Sequence, residues 1–91
     1  MRGNMVTPIQ ETDILTAVID AERGEGEKNG IAYTKDIVLL MGERFPDVHM
    51  MAVQEVMGRI KRDGLLGYDP THMIWWITKE GKEVLKNAKR K

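Results

Sequence analysis

Apolar residues recur every three or four positions in three successive segments, which is the spacing of one helical face. These segments predict helices over residues 7–23, 34–45 and 47–63. A short apolar stretch at residues 31–33 predicts a minimal strand before the second helix. The apolar positions predicted to be buried are Ile14, Leu15, Val18 and Ile19 in the first helix, Ile37, Val38, Leu40 and Met41 in the second, and Val53, Val56, Met57 and Ile60 in the third.

Capping residues set the predicted boundaries of these helices. Thr7 is a suitable cap, Pro8 suits the first helical position, and Gln10 completes a capping box. The other predicted boundary residues are Gly24, which ends the first helix, Thr34 and Asp47, which cap the second and third, Pro46, which ends the second, and Gly64, which ends the third.

From Leu65 onward the apolar pattern becomes that of extended chain. Residues 65–77 predict a β-hairpin whose tip, residues 69–72, contains a proline. Thr78 then caps a final helix over residues 78–90, in which Val84, Leu85 and Ala88 face inward. The predicted fold is α+β and forms one domain, residues 1–91, with a three-helix core, a C-terminal hairpin and a last helix.

Composition is that of an ordinary globular chain and removes several function classes. The 91 residues include no cysteine, so disulfides and thiolate metal sites are excluded. The longest apolar run, Met73 to Ile77, is too short to cross a bilayer, so no membrane partner is expected. Residues 1–8 lack the apolar stretch of a signal peptide, and a cytoplasmic location is expected.

Charge is balanced overall but unevenly distributed. Residues 1–46 contain five Lys/Arg against eight Asp/Glu, a net charge of −3. Residues 47–91 contain nine Lys/Arg against six Asp/Glu, a net charge of +3. This asymmetry fits a basic face that meets an anionic partner, and it equally fits chance variation in a small solvated domain.

Two segments carry a resemblance to a known superfamily. Residues 59–66, RIKRDGLL, resemble the basic end of a winged-helix recognition helix that passes through a glycine into a strand. Residues 75–85, WWITKEGKEVL, resemble the strand-to-helix junction of MarR-like and PadR-like transcriptional regulators. With the order of elements, the resemblance covers residues 8–88. It implies a winged helix-turn-helix fold and binding to double-stranded DNA in transcription regulation, with the third helix in the major groove.

Outward-facing residues of the third helix are the candidate DNA contacts. Gln54 suits an adenine edge, and Arg59 suits a guanine or a phosphate. Lys61 and Arg62, near the helix end, suit the DNA backbone. The resemblance assigns Thr34 and Lys35, at the start of the second helix, to phosphate contact. The complete predicted DNA-binding set is Thr34, Lys35, His49, Met50, Gln54, Arg59, Lys61 and Arg62.

Three features favour a different partner, namely another protein. Glu55 repels phosphate, the hairpin tip at residues 69–72 has no Lys or Arg, and the chain lacks the basic excess of most DNA-binding domains. The alternative is therefore a winged-helix module or adaptor for protein–protein interaction. Met50 suits such a surface, because methionine adapts to varied partners, whereas Met51 is expected in the core.

Adjacent Trp75 and Trp76 lie on one strand, so their side chains point to opposite faces. One is expected in the core, and the other is covered by the terminal helices or forms an interface. The resemblance implies a homodimer, joined here through the N-terminal arm and residues 79–91.

No arrangement of residues predicts catalysis or a cofactor. The glycines of residues 24–26 follow a helix rather than a strand, so they fail the context for nucleotide binding. His49 and His72, with Asp47 or Asp69, lack the spacing of a recurring metal site. The chain is therefore expected not to be an enzyme and to bind neither metal nor cofactor.

Overall fold

Four α-helices and a small antiparallel sheet make up the α+β structure, a computed structural model that describes residues 9–25 and 30–89. The predicted order of elements is confirmed. The helices are α1 (Glu11–Asp20), α2 (Thr34–Arg44), α3 (Met50–Arg62) and α4 (Lys79–Lys89), and the strands are β1 (Ala32–Tyr33), β2 (Leu66–Asp69) and β3 (Ile74–Ile77). A π-helical turn, Ala21–Glu25, follows α1 and includes Gly24 at a φ of +115°.

The sheet has the strand order β1-β3-β2, with both pairs antiparallel. β2 and β3 form the predicted hairpin, in which Leu66 pairs with Ile77 and Tyr68 with Trp75. β1 adds to the other side of β3, where Ala32 pairs with Trp75. The short strand between α1 and α2 is thereby joined to a hairpin that begins more than thirty residues later.

The core forms around α1, which packs against α2, α3, α4 and β3. Most of the predicted apolar positions are buried, and Ile14, Leu15 and Ile37 have no exposed surface. Ala88 is an exception, because it is exposed rather than packed inward, whereas Leu85 of α4 is buried as predicted. No helix among the described residues is long and apolar enough to cross a membrane.

The predicted start of the first helix is wrong by four residues. Thr7 and Pro8 lie outside the described residues, but Ile9 and Gln10 are described and are not helical. The backbone N–H of Gln10 donates to the Asp13 carboxylate at 2.7 Å, so this acidic side chain three positions later anchors the helix start. The helix consequently begins at Glu11.

The predicted caps of the next two helices are also displaced. Thr34 is already helical, and the backbone N–H of Tyr33 donates to the Asp36 carboxylate at 3.4 Å. In α3 the cap is His49, whose Nδ1 accepts a hydrogen bond from the Met51 N–H at 3.0 Å. Asp47 lies in the preceding turn, two residues before this cap, so its carboxylate is not the one that starts α3.

Gly64 and Thr78 act as predicted and connect α3 to α4. Gly64 has a φ of +84°, and the N–H groups of Gly64 and Leu65 donate to Lys61 and Ile60 carbonyls, which is a Schellman ending. The Thr78 hydroxyl donates to the Gly64 carbonyl at 2.6 Å and accepts from the Gly81 N–H at 3.0 Å. The end of α3 and the start of α4 are therefore held by one side chain.

Candidate nucleic-acid interface

Helix α3 is anchored by one side and exposed on the other. Val53, Val56, Met57 and Ile60 are buried, as predicted. The opposite side faces solvent, so the helix lies at the surface with a free polar face. The exposed residues on it are Met50, Met51, Gln54, Glu55, Arg59, Lys61 and Arg62.

The first turn of α3 exposes two methionines. Met50 is 56% exposed, and Met51, which was predicted to lie in the core, is 71% exposed. Met51 lies two positions before Val53, and two residues correspond to a rotation of about 200° around a helix with 3.6 residues per turn. Because Val53 is buried, Met51 lies on the opposite, exposed side of the helix. His49 is exposed as well, with its Nδ1 committed to the helix cap.

Charged residues occupy the C-terminal half of the exposed face. Glu55, Arg59 and Arg62 lie at i, i+4 and i+7 and line a shallow depression of about 260 Å³. Within the part of the chain that the structure describes, no ion pair joins Glu55 to either arginine. Both guanidinium groups can therefore meet an external anion, beside a carboxylate that opposes it.

A groove of about 290 Å³ separates α3 from the hairpin, and we call it the α3–hairpin groove. The Tyr68 and Trp75 rings contact each other there, with centroids 4.3 Å apart, and Lys61 Nζ lies 5.6 Å from the Tyr68 centroid. Tyr68 was not among the predicted site residues: counting outward from the predicted tip at residues 69–72 pairs it with Met73, whereas β2 extends to Asp69 and the observed partner of Tyr68 is Trp75. The groove is lined by Thr34, Gln54, Met57, Gly58, Lys61, Tyr68, Met73 and Trp75.

Thr34 is placed in this groove, but its hydroxyl already has two partners. It donates to the Met73 carbonyl at 3.3 Å and accepts from Trp75 Nε1 at 2.7 Å. The predicted phosphate contact of Thr34 would therefore compete with bonds that link α2 to the hairpin. Lys35, the next residue, is exposed at the start of α2.

Six of the eight predicted contacts fall into three neighbouring sets, and Lys35 and Met50 belong to none of them. Thr34, Gln54 and Lys61 share the α3–hairpin groove. His49 and Gln54 share a second depression on the exposed face, so Gln54 belongs to both. Arg59 and Arg62 line the third depression, further along the helix. Gln54 is thus the central residue of the candidate interface.

At the hairpin tip the Asp69 carboxylate is paired with the His72 imidazole, and the tip has no Lys or Arg. His72 Nδ1 donates to the Asp69 carboxylate at 2.8 Å, and the Thr71 N–H donates to its other oxygen at 3.0 Å. The hydrogen bond from His72 is the main reason why the pKa of Asp69 lies below its ordinary value. Met73 completes the tip in a left-handed conformation, with a φ of +57°.

The two tryptophans face opposite sides of the sheet, as predicted. Trp75 is 7% exposed and belongs to the core. Trp76 is 44% exposed and lies against Gly67 of the paired strand, where a Cβ would come within 2.1 Å of the indole. Its outer face is free among the described residues, and the predicted role of Trp76 in an interface stays a prediction.

Few groups suited to other chemistry occur in the described residues. Within residues 9–25 and 30–89, no group of three or more metal-ligating side chains comes together. In the same ranges, the buried charged side chain is Asp36, whose carboxylate caps the start of α2.

Comparisons with protein-family models, with curated proteins and with solved structures found no match to this chain. What the resemblance implies about family, partner and assembly therefore stays a prediction. The functional conclusion rests on the geometry and charge of α3 and the hairpin.

Proposed function

We propose that the chain is a winged-helix protein that binds double-stranded DNA, with α3 in the major groove and the β2–β3 hairpin as the wing. The observation that carries the proposal is the division of α3 into an anchored apolar side and an exposed side with Gln54, Arg59 and Arg62. An α-helix presented in this way fits the width of the major groove. The order helix, strand, helix, helix, hairpin and the strand order β1-β3-β2 support the same fold.

Each residue has a distinct proposed role. Gln54, at the centre of the exposed face, hydrogen-bonds an adenine edge, and Arg59 contacts a guanine or a phosphate. Lys61 and Arg62, in the last turn, contact the backbone and supply affinity that does not depend on sequence. His49 and Met50 lie at the helix start, where base edges are usually contacted in this docking mode.

Assembly and regulation form the second part of the proposal. A homodimer would place two copies of α3 in successive major grooves, about one helical turn apart, and so bind a pseudo-palindrome. This is the geometry of a transcriptional regulator. The proposed dimer contact includes α4, whose Leu85 is buried while Ala88 is left on the surface.

The Glu55 carboxylate should lower the affinity of the chain for duplex DNA, and a substitution tests this. Glu55 lies between the proposed contacts Gln54 and Arg59 and is exposed. Removal of its charge by Glu55→Gln should raise affinity for any duplex, because repulsion of phosphate is lost while the side-chain shape is kept. An unchanged affinity would place Glu55 outside the DNA interface.

The main test is a salt titration of binding to labelled mixed-sequence duplex, followed by fluorescence anisotropy. Each phosphate contact contributes about −0.9 to the slope of log K against log salt. Arg59→Ala should weaken binding, and a lost phosphate contact should make the slope shallower by about 0.9. Arg23→Ala, which removes an exposed cation from the turn after α1, is the matched control and should change neither quantity. Absence of duplex binding at low salt would refute the proposal.

One observation favours a second candidate, a protein-interaction module. Met50 and Met51 are adjacent and more than half exposed, and contiguous exposed apolar surface is a feature of protein-interaction sites. Methionine is frequent at adaptable protein-binding surfaces. Under this hypothesis Met51→Gln abolishes partner binding, and duplex affinity is absent at every salt concentration.

A further inference from the structure

The α3–hairpin groove has features that duplex binding alone does not need. The Tyr68 ring and the exposed thioether side chain of Met73 form its apolar surface, and the buried side chains of Met57 and Trp75 also border it. Thioethers and aromatic rings both make favourable contacts with a further aromatic ring. The groove is therefore suited to a planar aromatic group rather than to a flexible aliphatic chain.

Its size restricts the ligand to one or two rings. The volume of about 290 Å³ lies at the lower end of the range for small-molecule sites, which is about 300–1,000 Å³. A cavity of about 150 Å³ is enough for benzene. A single ring with a substituent, or a fused pair of rings, fits the space available.

Two polar side chains at the groove are available to orient such a ligand. Lys61 Nζ lies 5.6 Å from the centre of the Tyr68 ring, a contact that is weak at an exposed site, so the ammonium group is available to an anion. The Gln54 amide makes no hydrogen bond to any other residue that the structure describes. The Thr34 hydroxyl, by contrast, is committed to Trp75 and Met73.

We propose that the α3–hairpin groove binds a planar aromatic ring that carries an anionic group, which is the chemistry of a nucleotide. The ring packs against Tyr68 and Met73, Lys61 Nζ pairs with the anion, and the Gln54 amide hydrogen-bonds the polar edge of the ring. The ligand is either a free small molecule or an unpaired nucleotide within a DNA strand. Gln54 and Lys61 are also proposed DNA contacts, so the ligand should compete with duplex DNA. That competition rests on the proposed function, whereas binding of the ligand itself does not.

The first experiment uses four probes, phenyl phosphate, dTMP, phenol and inorganic phosphate, with binding followed by tryptophan fluorescence and calorimetry. Phenyl phosphate and dTMP should bind at least tenfold more tightly than phenol, which lacks the charge, and inorganic phosphate, which lacks the ring. Equal binding of all four, or of none, would overturn the proposal.

The second experiment tests the location with a glycine substitution. A Cβ on Gly58 would meet only Arg62 Nη1, at 3.8 Å, so Gly58→Leu adds a side chain at the groove without a clash at its base. It should reduce phenyl phosphate affinity at least tenfold. Gly42→Leu makes the same change on the exposed side of α2, where no atom lies within 4 Å, and should leave that affinity unchanged. Normal phenyl phosphate binding by a folded Gly58→Leu would refute the location.

Lys61→Met gives a measurement that does not depend on filling the groove. It should weaken phenyl phosphate at least tenfold while leaving phenol unchanged, because only the charge is removed. Loss of both probes to the same degree would contradict a pairing of Lys61 with the anion.

The two possible sources of the ligand are separated by DNA probes. If a duplex with one unpaired thymidine binds more tightly than the perfect duplex, the groove binds a nucleotide within a strand. If both duplexes bind equally and phenyl phosphate displaces them, the groove binds a free ligand. Arg59→Ala should weaken duplex binding and spare phenyl phosphate, so failure of the DNA proposal and failure of the groove proposal give different results.

Discussion

The contact between Trp76 and Gly67 offers a direct test of the hairpin geometry. The two residues face each other across the β2–β3 pair. A Cβ on Gly67 would come within 2.1–2.4 Å of three indole atoms, well below the 3.0 Å that real Cβ contacts respect. Gly67→Ala therefore forces the ring away from the strand.

The loss of folding free energy expected for Gly67→Ala depends on how freely the Trp76 ring can move. Overpacking costs about 1–3 kcal/mol, and the lower half of this range applies because Trp76 is 44% exposed and can turn toward solvent. Replacing a strand glycine by alanine recovers about 0.5–1 kcal/mol of conformational entropy. The net destabilisation should be about 1 kcal/mol, which lowers Tm by about 4–8 °C in a domain of this size.

Urea unfolding in a double-mutant cycle with Trp76→Ala measures the contact, and the fluorescence of Trp75 reports unfolding in every variant. When the ring is absent, Gly67→Ala should stabilise the protein by about 0.5 kcal/mol, because only the entropy gain remains. The coupling energy should thus be about 1.5 kcal/mol. Equal destabilisation of both backgrounds would refute the placement of Trp76 over Gly67.

Three further predictions concern residues that hold the site in place. Thr34→Val should destabilise the fold by about 1–3 kcal/mol in urea unfolding, because it leaves the buried Nε1 of Trp75 without its partner. Gly64→Ala should cost about 1–2 kcal/mol by thermal unfolding, because its φ of +84° is unfavourable for a residue with a Cβ. Since His72 lowers the pKa of Asp69, this carboxylate stabilises the folded state above its ordinary pKa of 3.8, and that stabilisation is lost as the pH falls through the lowered pKa. Wild type should therefore lose stability more steeply below pH 3.8 than Asp69→Asn, as measured by urea midpoints.

Each of these predictions has a control. For Gly64→Ala the control is Gly42→Ala on α2. It should stabilise the fold by up to about 1 kcal/mol, since no atom opposes its Cβ and alanine favours the helix. In the Trp75→Phe background Thr34→Val should cost less, because phenylalanine has no N–H to satisfy. Asp47→Asn, at an exposed position in the turn before α3, should leave the steep pH dependence below 3.8 intact. A loss of that dependence in Asp47→Asn would contradict the assignment to Asp69.

The candidate site could be predicted only in part. The exposed position of Gln54 and Arg59 followed from the apolar spacing of α3, and the opposite orientation of the two tryptophans followed from strand alternation. The same helical spacing places Met51 opposite Val53, so its exposure could have been predicted and was missed. The groove could not be found in this way, because it lies between elements whose relative placement no local pattern specifies.

The sequence by itself determined which segments become helices and strands, in which order, and where α3 and α4 meet. Periodicity of apolar residues, the positive φ that favours Gly64, and the capping hydroxyl of Thr78 act within a few residues, so they are visible in the chain alone. They also determined which side of α3 is anchored.

Tertiary structure alone decided how these parts combine. The Thr34 hydroxyl, a suitable helix cap in isolation, is taken by Trp75, which lies 41 residues away in the chain. β1 joins β3, and the ring pair of Tyr68 and Trp75 meets Lys61 across the α3–hairpin groove. These contacts join residues that are far apart in the chain and depend on the packing of α1 against the other helices and the sheet, so no local sequence pattern specifies them.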